Sequence, residues 1–164
     1  MEPVPTLHFF CGKMAAGKTT LARQIAAQQS SLLLSEDLWL SKLYPNEIQT
    51  FDDYIQYSRR LKGVLASHVE SLLSQGLSVV MDFPGNVPIQ RDWFRTIFEA
   101  AQVNHVLHYL IVSDERCKLQ LQQRNTNLPE GSMVMSEMDF DHITSYFRPP
   151  LPEEGFNIIQ YHRG

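Results

Sequence analysis

Nine consecutive residues near the start of the chain have the composition of a phosphate-binding loop. They are Gly12, Lys13, Met14, Ala15, Ala16, Gly17, Lys18, Thr19 and Thr20, and they match the pattern G-x-x-x-x-G-K-[ST]. Glycine allows a close approach of the backbone or a positive φ, so that the loop amides can point at a phosphate. The lysine adds a positive charge, and the threonine hydroxyl can coordinate Mg²⁺. The motif therefore predicts a nucleotide site.

The residues on either side of this loop have the character that the motif requires. Residues 7–11 form an apolar run of strand length, and residues 19–27 are rich in helix formers. The positive end of a helix dipole would add to the anion site. An ordinary glycine-rich turn between a strand and a helix is the alternative. None of the five lysines is followed by x-Asp, as a guanine-reading motif requires, so we expect ATP to be the nucleotide.

A carboxylate ends the third apolar run, at the place of the second part of a nucleotide site. Asp82 closes residues 77–82 and would hold Mg²⁺ directly or through water, which makes Thr19 and Asp82 the predicted metal residues. Asp82 could instead cap the turn that follows. The next residue is Phe83, where motor and transport ATPases with such loops generally have a glutamate that activates water. This departure favours transfer to another acceptor over hydrolysis.

A second carboxylate follows the second apolar run, residues 31–35. We expect this second strand to lie beside the first strand, which would bring Asp37 to the mouth of the nucleotide cleft. There it could accept the proton of a substrate hydroxyl that attacks the γ-phosphate. Glu36 would point to the other side if the strand continued. Asp37 could also be the N-cap of a helix that begins at Leu38, and the two roles can coexist.

An arginine is expected to close over the transferred phosphoryl group, because charge spreads over its oxygens. Arg116 and Arg124 lie on a predicted helix, residues 113–125, which precedes a loop at residues 125–134. Arg124 is next to that loop and is the preferred candidate, although a solvated surface arginine is the common alternative for both. The predicted catalytic residues are thus Lys18, Asp37 and Arg124.

Other polar and aromatic residues have less specific interpretations. Arg59 and Arg60 could bind an anionic acceptor, but a solvated helix face is the simpler explanation. Three aromatic residues could line an acceptor pocket or belong to the core: Trp39, Tyr44 and Tyr54. His105 and His108 are three residues apart on a predicted strand and so lie on opposite faces, which argues against a metal pair. Arg91 and Arg95 are expected to pair with neighbours such as Asp92 and Glu99.

The elements that must position these residues alternate along the chain. A long helix from Phe51 is opened by Thr50-x-x-Asp53 and closed by Gly76. The remaining predictions are a helix that includes residues 93–101, a strand at 105–112, a helix at 136–147 and a strand at 156–161. Such alternation predicts an α/β fold with a five-stranded parallel sheet covered by helices on both faces, and a ligand at the carboxyl ends of the strands.

Length and composition suit one domain, residues 1–164. A formal charge of −4 makes nucleic acid an unexpected partner, because binding to its backbone depends on Lys and Arg. Cys11 and Cys117 lack metal-ligand spacing and are expected to be reduced packing residues. The first residues resemble neither a signal peptide nor a membrane span, so we expect a cytoplasmic protein.

The loop GKMAAGKTT, the segments LLLSEDLWLSKLYP and SVVMDFPGN, the helix ending LQQRN and the tail PPLPEEGFNII together resemble small P-loop proteins of the AAA_33 type. That group is similar to zeta toxins, chloramphenicol phosphotransferase, gluconate kinase and the kinase domain of polynucleotide kinases. The resemblance covers nearly the whole chain. It implies a three-layer, nucleoside-kinase-like fold with phosphate binding by residues 12–20, an acceptor-side aspartate at Asp37, and a lid at about 114–135 that carries Arg124. Asp82 matches the aspartate after the third strand.

The function expected from these residues and this resemblance is an ATP- and Mg²⁺-dependent phosphotransferase, a kinase that acts on a hydroxyl of a small molecule. The sequence does not identify the acceptor or the oligomeric state. One alternative is a regulatory module that binds ATP, hydrolyses it slowly and transfers nothing. Another is a kinase of nucleic-acid 5′ ends.

Overall fold

The computed structural model describes residues 4–130 and 132–163. Its sheet contains five parallel strands in the order β2-β3-β1-β4-β5. The strands are β1 (Thr6–Cys11), β2 (Leu32–Ser35), β3 (Val79–Pro84), β4 (Asn104–Val112) and β5 (Ile158–Arg163). Because β1 lies between β3 and β4, the loops that follow these three strands lie side by side at the carboxyl ends of the strands.

Helices cover both faces of this sheet. They are α1 (Lys18–Gln28), α2 (Glu36–Leu43), α3 (Phe51–Ser74), α4 (Pro88–Ala101), α5 (Asp114–Thr126) and α6 (Glu137–Thr144). One core cluster packs α3 and α4 against residues such as Phe9 and Met81. The other packs α1, α5 and α6 against residues such as Phe10 and Val80. The predicted three-layer α/β fold is confirmed.

Local signals in the sequence set most of the helix ends. Thr50 and Asp53 form the predicted capping box of α3, and Gly76 has φ +90° just beyond its end. The last strand begins two residues later than predicted, because Pro152–Glu154 forms a 3₁₀ turn and Gly155 follows it with φ +77°. No helix within the described residues is long and apolar enough to cross a membrane.

Two histidine positions agree with the predicted strand alternation. His105 stacks on Phe98 with ring centroids 4.0 Å apart, on the α4 side of the sheet. His108 lies on the other face, where its Nε2 is 2.9 Å from Nδ1 of His8 and its Nδ1 is 2.8 Å from the hydroxyl of Tyr161. His8 and His108 are both buried. Cys11 and Cys117 are free and buried, as predicted.

Candidate active site

The predicted phosphate-binding loop connects β1 to α1, and its two glycines are required for different reasons. Gly17 has φ +108°, a conformation that side chains rarely allow. Gly12 is buried, and a Cβ there would lie 3.3 Å from Cβ of Leu110 on β4. Ala15, between them, also has a positive φ of 62°. The tight path of the loop therefore depends on two residues with positive φ, Ala15 and Gly17, and on the close contact at Gly12.

The N-terminus of α1 differs from those of most other helices in the described chain. Side chains cap the starts of α2, α3, α5 and α6, through Ser35, Thr50, Ser113 and Ser136. The N-cap of α1 is Gly17, which has no side chain, and no acidic residue lies in the first turn. The amides and the positive end of the dipole at this terminus are thus available to an anion.

Lys18 lies against the loop that precedes it. Its Nζ donates hydrogen bonds to the carbonyl oxygens of Gly12 and Lys13, the second across 3.0 Å. Burial lowers the pKa of Lys18, and the carboxylates of Asp82 and Asp37 oppose that shift. The ammonium group is therefore held within the loop, close to both acidic residues.

Thr19 and Asp82, the two predicted metal residues, are in direct contact. The Thr19 hydroxyl donates a 2.8 Å hydrogen bond to Oδ2 of Asp82. The carboxylate bonds to Thr19 rather than to the turn after β3, so the alternative role of Asp82 as a cap of that turn is wrong. A hydroxyl and a carboxylate oxygen suit Mg²⁺, which prefers oxygen ligands. The described residues contain no group of three or more His, Cys, Asp or Glu that could hold a metal by themselves.

Asp37 lies within electrostatic range of Arg124 and Lys18. Asp37 lies in the first turn of α2 and is exposed. Desolvation raises its pKa to about 6, the charges of Glu36 and Asp82 add to the shift, and Arg124 and Lys18 oppose it. The charges of Lys18 and Arg124, the other two predicted catalytic residues, thus both act on Asp37.

The arginines of α5 have different surroundings. Arg124 is half-buried, burial lowers its pKa, and its Nε has no hydrogen-bond partner within the described chain. Arg116 instead donates from Nε to Oε1 of Gln120, across 3.3 Å on the same helix. Of the two candidates, Arg124 is the one whose charge acts on Asp37.

The structure corrects the predicted surroundings of Asp37. Ser35 is the N-cap of α2, since its hydroxyl accepts a hydrogen bond from the amide of Leu38, so the prediction of Asp37 as N-cap is wrong. The strand also ends before Glu36, which turns inward and is 1% exposed. Its carboxylate accepts hydrogen bonds from the hydroxyls of Tyr54 and Ser58, the latter across 2.7 Å. Ser58 lies on the apolar face of α3, and this was the sequence signal for a buried polar partner.

Asn86, in the loop after β3, is a site residue that the sequence analysis missed. Its Oδ1 accepts a 2.9 Å hydrogen bond from the amide of Gly12. Its own amide donates to Oε1 of Gln90 across 2.8 Å, and its carbonyl accepts from the amide of Arg148 across 2.8 Å. Asn86 thereby joins the start of the phosphate loop to α4 and to the segment before β5.

Arg91 holds the loop after β3 through a hydrogen bond to Gly85. It is completely buried, and its guanidinium donates to both carboxylate oxygens of Glu154, across 2.9 and 3.2 Å, and to the carbonyl of Gly85 across 3.0 Å. The predicted pairing of Arg91 with a near neighbour is wrong. Arg95 does lie 3.7 Å from Asp92, as predicted. Residue 85 must be glycine, because a Cβ there would come within 2.5 Å of the carbonyl oxygen of Phe10.

Comparisons with known proteins agree with this architecture. The family model AAA_33, described as an AAA domain, matches residues 7–150. A candidate kinase from Chloroflexus aurantiacus has 19% identity and a TM-score of 0.77, and the alignment covers 98% of this chain and 89% of that one. Chaetomium thermophilum Kti12 in complex with ADP-AlF3 has 14% identity and a TM-score of 0.68, and the alignment covers 96% of this chain and 89% of that one.

An APS kinase, Mycobacterium tuberculosis CysC in complex with AMPPNP and APS, has the same fold. It has 16% identity and a TM-score of 0.60, with 99% of this chain and 91% of that chain covered. No curated protein matches the sequence at a significant level. At these identities, the solved structures show a shared fold.

Proposed function

Since the chain belongs to the AAA_33 family, we propose that it is an ATP- and Mg²⁺-dependent phosphotransferase that acts on a hydroxyl of a small molecule. The observation that carries this proposal is the phosphate-binding loop itself, with the uncapped N-terminus of α1 and the contact between Thr19 and Asp82. Asp37 lies within electrostatic range of Lys18 and Arg124 beside it. A cation in the phosphate loop, a carboxylate and a second cation are the groups that phosphoryl transfer from a nucleotide requires.

ATP would bind with its phosphates in the loop of residues 12–20, against the uncapped N-terminus of α1. Two proteins of similar fold were solved with nucleotides, one with ADP-AlF3 and one with AMPPNP, and both support this assignment. Thr19 and Asp82 would hold Mg²⁺, which neutralises phosphate charge when it is bound. Their contact of 2.8 Å supports their joint role.

In the proposed reaction, Asp37 orients the acceptor hydroxyl and takes its proton. The hydroxyl oxygen forms a bond to the γ-phosphorus, while the bond between that phosphorus and the bridging oxygen of ADP breaks. A pKa of about 6 leaves Asp37 ionised at pH 7 and more basic than an ordinary aspartate, which suits a general base. Lys18 and Arg124 would stabilise the charge that spreads over the transferred group.

Residues 114–135 would act as the lid of this cleft. Arg124 enters the site from α5, and Glu130, beyond that helix, lies 3.9 Å from Nζ of Lys42 on α2. A lid that excludes water favours transfer over hydrolysis. Phe83 also supports transfer, because it is buried against Trp93 and offers no group that activates water.

A screen for phosphorylated products tests this function. The wild type is incubated with Mg-ATP and a panel of hydroxylated metabolites, antibiotics and nucleic-acid 5′ ends, and products are identified by mass spectrometry. Product formation from none of them, with ATP hydrolysis unaffected by any compound, would favour the regulatory alternative. Products on nucleic-acid ends alone would favour the other alternative.

Asp37→Asn then tests the mechanism with any acceptor that the screen finds. We expect transfer to fall by roughly 10² to 10⁴, the scale of general base catalysis, while Mg-ATP affinity stays nearly unchanged. Asp52→Asn is the matched control, because Asp52 is exposed on the first turn of α3. Unchanged transfer in Asp37→Asn would refute the role of base, and lost ATP binding would place Asp37 on the nucleotide side.

A further inference from the structure

A groove of about 440 Å³ lies between α3 and α4, next to the candidate active site. On one wall are Tyr54 and Ser58, the residues whose hydroxyls donate to Glu36, the neighbour of Asp37. On the other is Gln90, whose side chain holds the amide of Asn86. Each wall is therefore one hydrogen bond away from a residue that borders the site.

Two cations line this groove, and no carboxylate does. They are Arg59 and Lys62, both on α3. Neither forms an ion pair within residues 4–130 and 132–163. Nζ of Lys62 lies 5.3 Å from the ring centre of Trp93, which forms part of the opposite wall. The groove thus offers positive charge beside an aromatic surface.

The surroundings of Lys62 favour the binding of an anion. The side chain is half-buried, and burial lowers its pKa. Glu36 exerts an opposing electrostatic effect, but its carboxylate already accepts hydrogen bonds from Tyr54 and Ser58. A desolvated ammonium without a direct carboxylate partner costs free energy, which an anion bound in the groove would offset.

We propose that this groove binds the phosphoryl acceptor, and that the acceptor is a hydroxylated organic anion. Its carboxylate, phosphate or sulfate group lies against Arg59 and Lys62, and its body packs on Trp93 and Tyr54. This inference rests on the proposed function and adds a substrate class to it. A cationic acceptor is excluded, because it would meet two positive charges and no carboxylate in the lining.

Trp93 is the reporter for a direct test. With Trp39→Phe as background, the indole N–H of Trp93 is the single tryptophan signal in an NMR spectrum. The probes are sulfate, inorganic phosphate and gluconate, with sorbitol as the neutral counterpart of gluconate and chloride as the ionic-strength control. We expect saturable shifts with the three anions and none with sorbitol or chloride. The shifts should persist in Lys18→Ala, in which the phosphate loop is disabled.

Lys62→Gln should weaken the binding of these anions by roughly tenfold to a hundredfold, which corresponds to the loss of one hydrogen bond to a charged group. Arg60→Gln is the matched control on the same helix, because Arg60 lies outside the groove with its guanidinium 5.3 Å from the ring centre of Tyr57. With an acidic acceptor from the product screen, Lys62→Gln should raise KM and leave kcat nearly unchanged.

The two proposals can fail separately. If ATP binds to the wild type but no anion shifts the Trp93 signal, or if Lys62→Gln binds anions like the wild type, the acceptor inference is wrong and the phosphotransferase proposal stands. If the anions bind in the groove but ATP does not bind, the phosphotransferase proposal is wrong. Transfer to neutral acceptors alone would overturn the proposed substrate class.

Discussion

The amide of Gly12 donates a hydrogen bond to the side-chain oxygen of Asn86, across 2.9 Å. Gly12 is the first residue of the phosphate-binding loop, whereas Asn86 belongs to the loop after β3. The two loops follow neighbouring strands, and this bond fixes one relative to the other. The conformation of the phosphate loop therefore depends on a residue outside the motif.

Asn86→Ala should weaken ATP binding by about fivefold to tenfold, because it removes one hydrogen bond of about 1 kcal/mol that preorganises the loop. Isothermal titration with Mg-ATP measures the change. The matched control is Asn104→Ala, at the amino end of β4, which should bind ATP like the wild type. Wild-type affinity in Asn86→Ala would show that the loop holds its conformation without this bond.

Arg124→Gln should reduce transfer by roughly 10² to 10³, the scale of losing one preorganised charged donor. Its thermal stability should not fall, because Nε of Arg124 is buried without a hydrogen-bond partner within the described chain. Arg116→Gln is the control on the same helix, since the guanidinium of Arg116 donates to Gln120, one turn away on α5. Steady-state kinetics and thermal melting of both variants test this. Equal losses of transfer in the two would contradict the assignment.

Lys18→Ala should lower both ATP affinity and turnover by roughly two to three orders of magnitude. The same change removes the hydrogen bonds from Nζ to the carbonyls of Gly12 and Lys13, so the loop itself should become more mobile. Equilibrium binding gives the affinity, and hydrogen exchange of the loop amides reports the mobility. A folded variant with wild-type affinity and turnover would refute the phosphate site.

Stability should decrease as the pH falls from about 6.5 to 4. Burial lowers the pKa of His108 to about 4, and the charge of a protonated His8 contributes to the shift. In this pH range His108 binds a proton more readily in the unfolded chain than in the folded chain. The free energy of unfolding therefore decreases as the pH falls, by about 3 kcal/mol at pH 4. Two other groups contact His108, namely the ring of Phe10 and the hydroxyl of Tyr161. The guanidinium of Arg163 lies over the ring of Tyr161.

Thermal melting of His108→Gln between pH 7 and pH 4.5 checks this prediction. The variant should lose less stability than the wild type over that range, because one titrating group is gone. His68→Gln, on the exposed side of α3, should follow the wild-type curve. Parallel curves for wild type and His108→Gln would show that His108 does not control the acid response.

Features that depend on nearby residues could be predicted from the sequence. The phosphate loop and the capping box of Thr50 and Asp53 depend on a few consecutive residues, and each strand or helix depends on the periodicity of its own segment. The same principle could have identified Ser35 as the N-cap of α2, since serine is a preferred cap. Aspartate is an equally good cap by residue type, so Asp37 was an alternative, and only the backbone geometry distinguishes Ser35 from it.

Contacts between distant residues could not be predicted. Asn86 and Gly12 are 74 residues apart, and Arg91 and Glu154 are 63 apart. Nothing in the local composition of either pair indicates its partner, because the pairing follows from the strand order β2-β3-β1-β4-β5. The expected position of β2 beside β1 is wrong, because β3 lies between them. Asp37 still follows a parallel strand that ends on the side of the phosphate loop, since all strands of the sheet are parallel.

The pairing of Arg91 with Glu154 has a consequence for the protein during its synthesis. Arg91 is wholly buried and supports Gly85, in the loop that positions the phosphate site, whereas Glu154 lies just before the last strand. A nascent chain that has emerged only to residue 150 would contain the entire nucleotide motif and an uncompensated buried cation. We therefore expect the loop around Gly85 to reach its native conformation during synthesis only after Glu154 has left the ribosome.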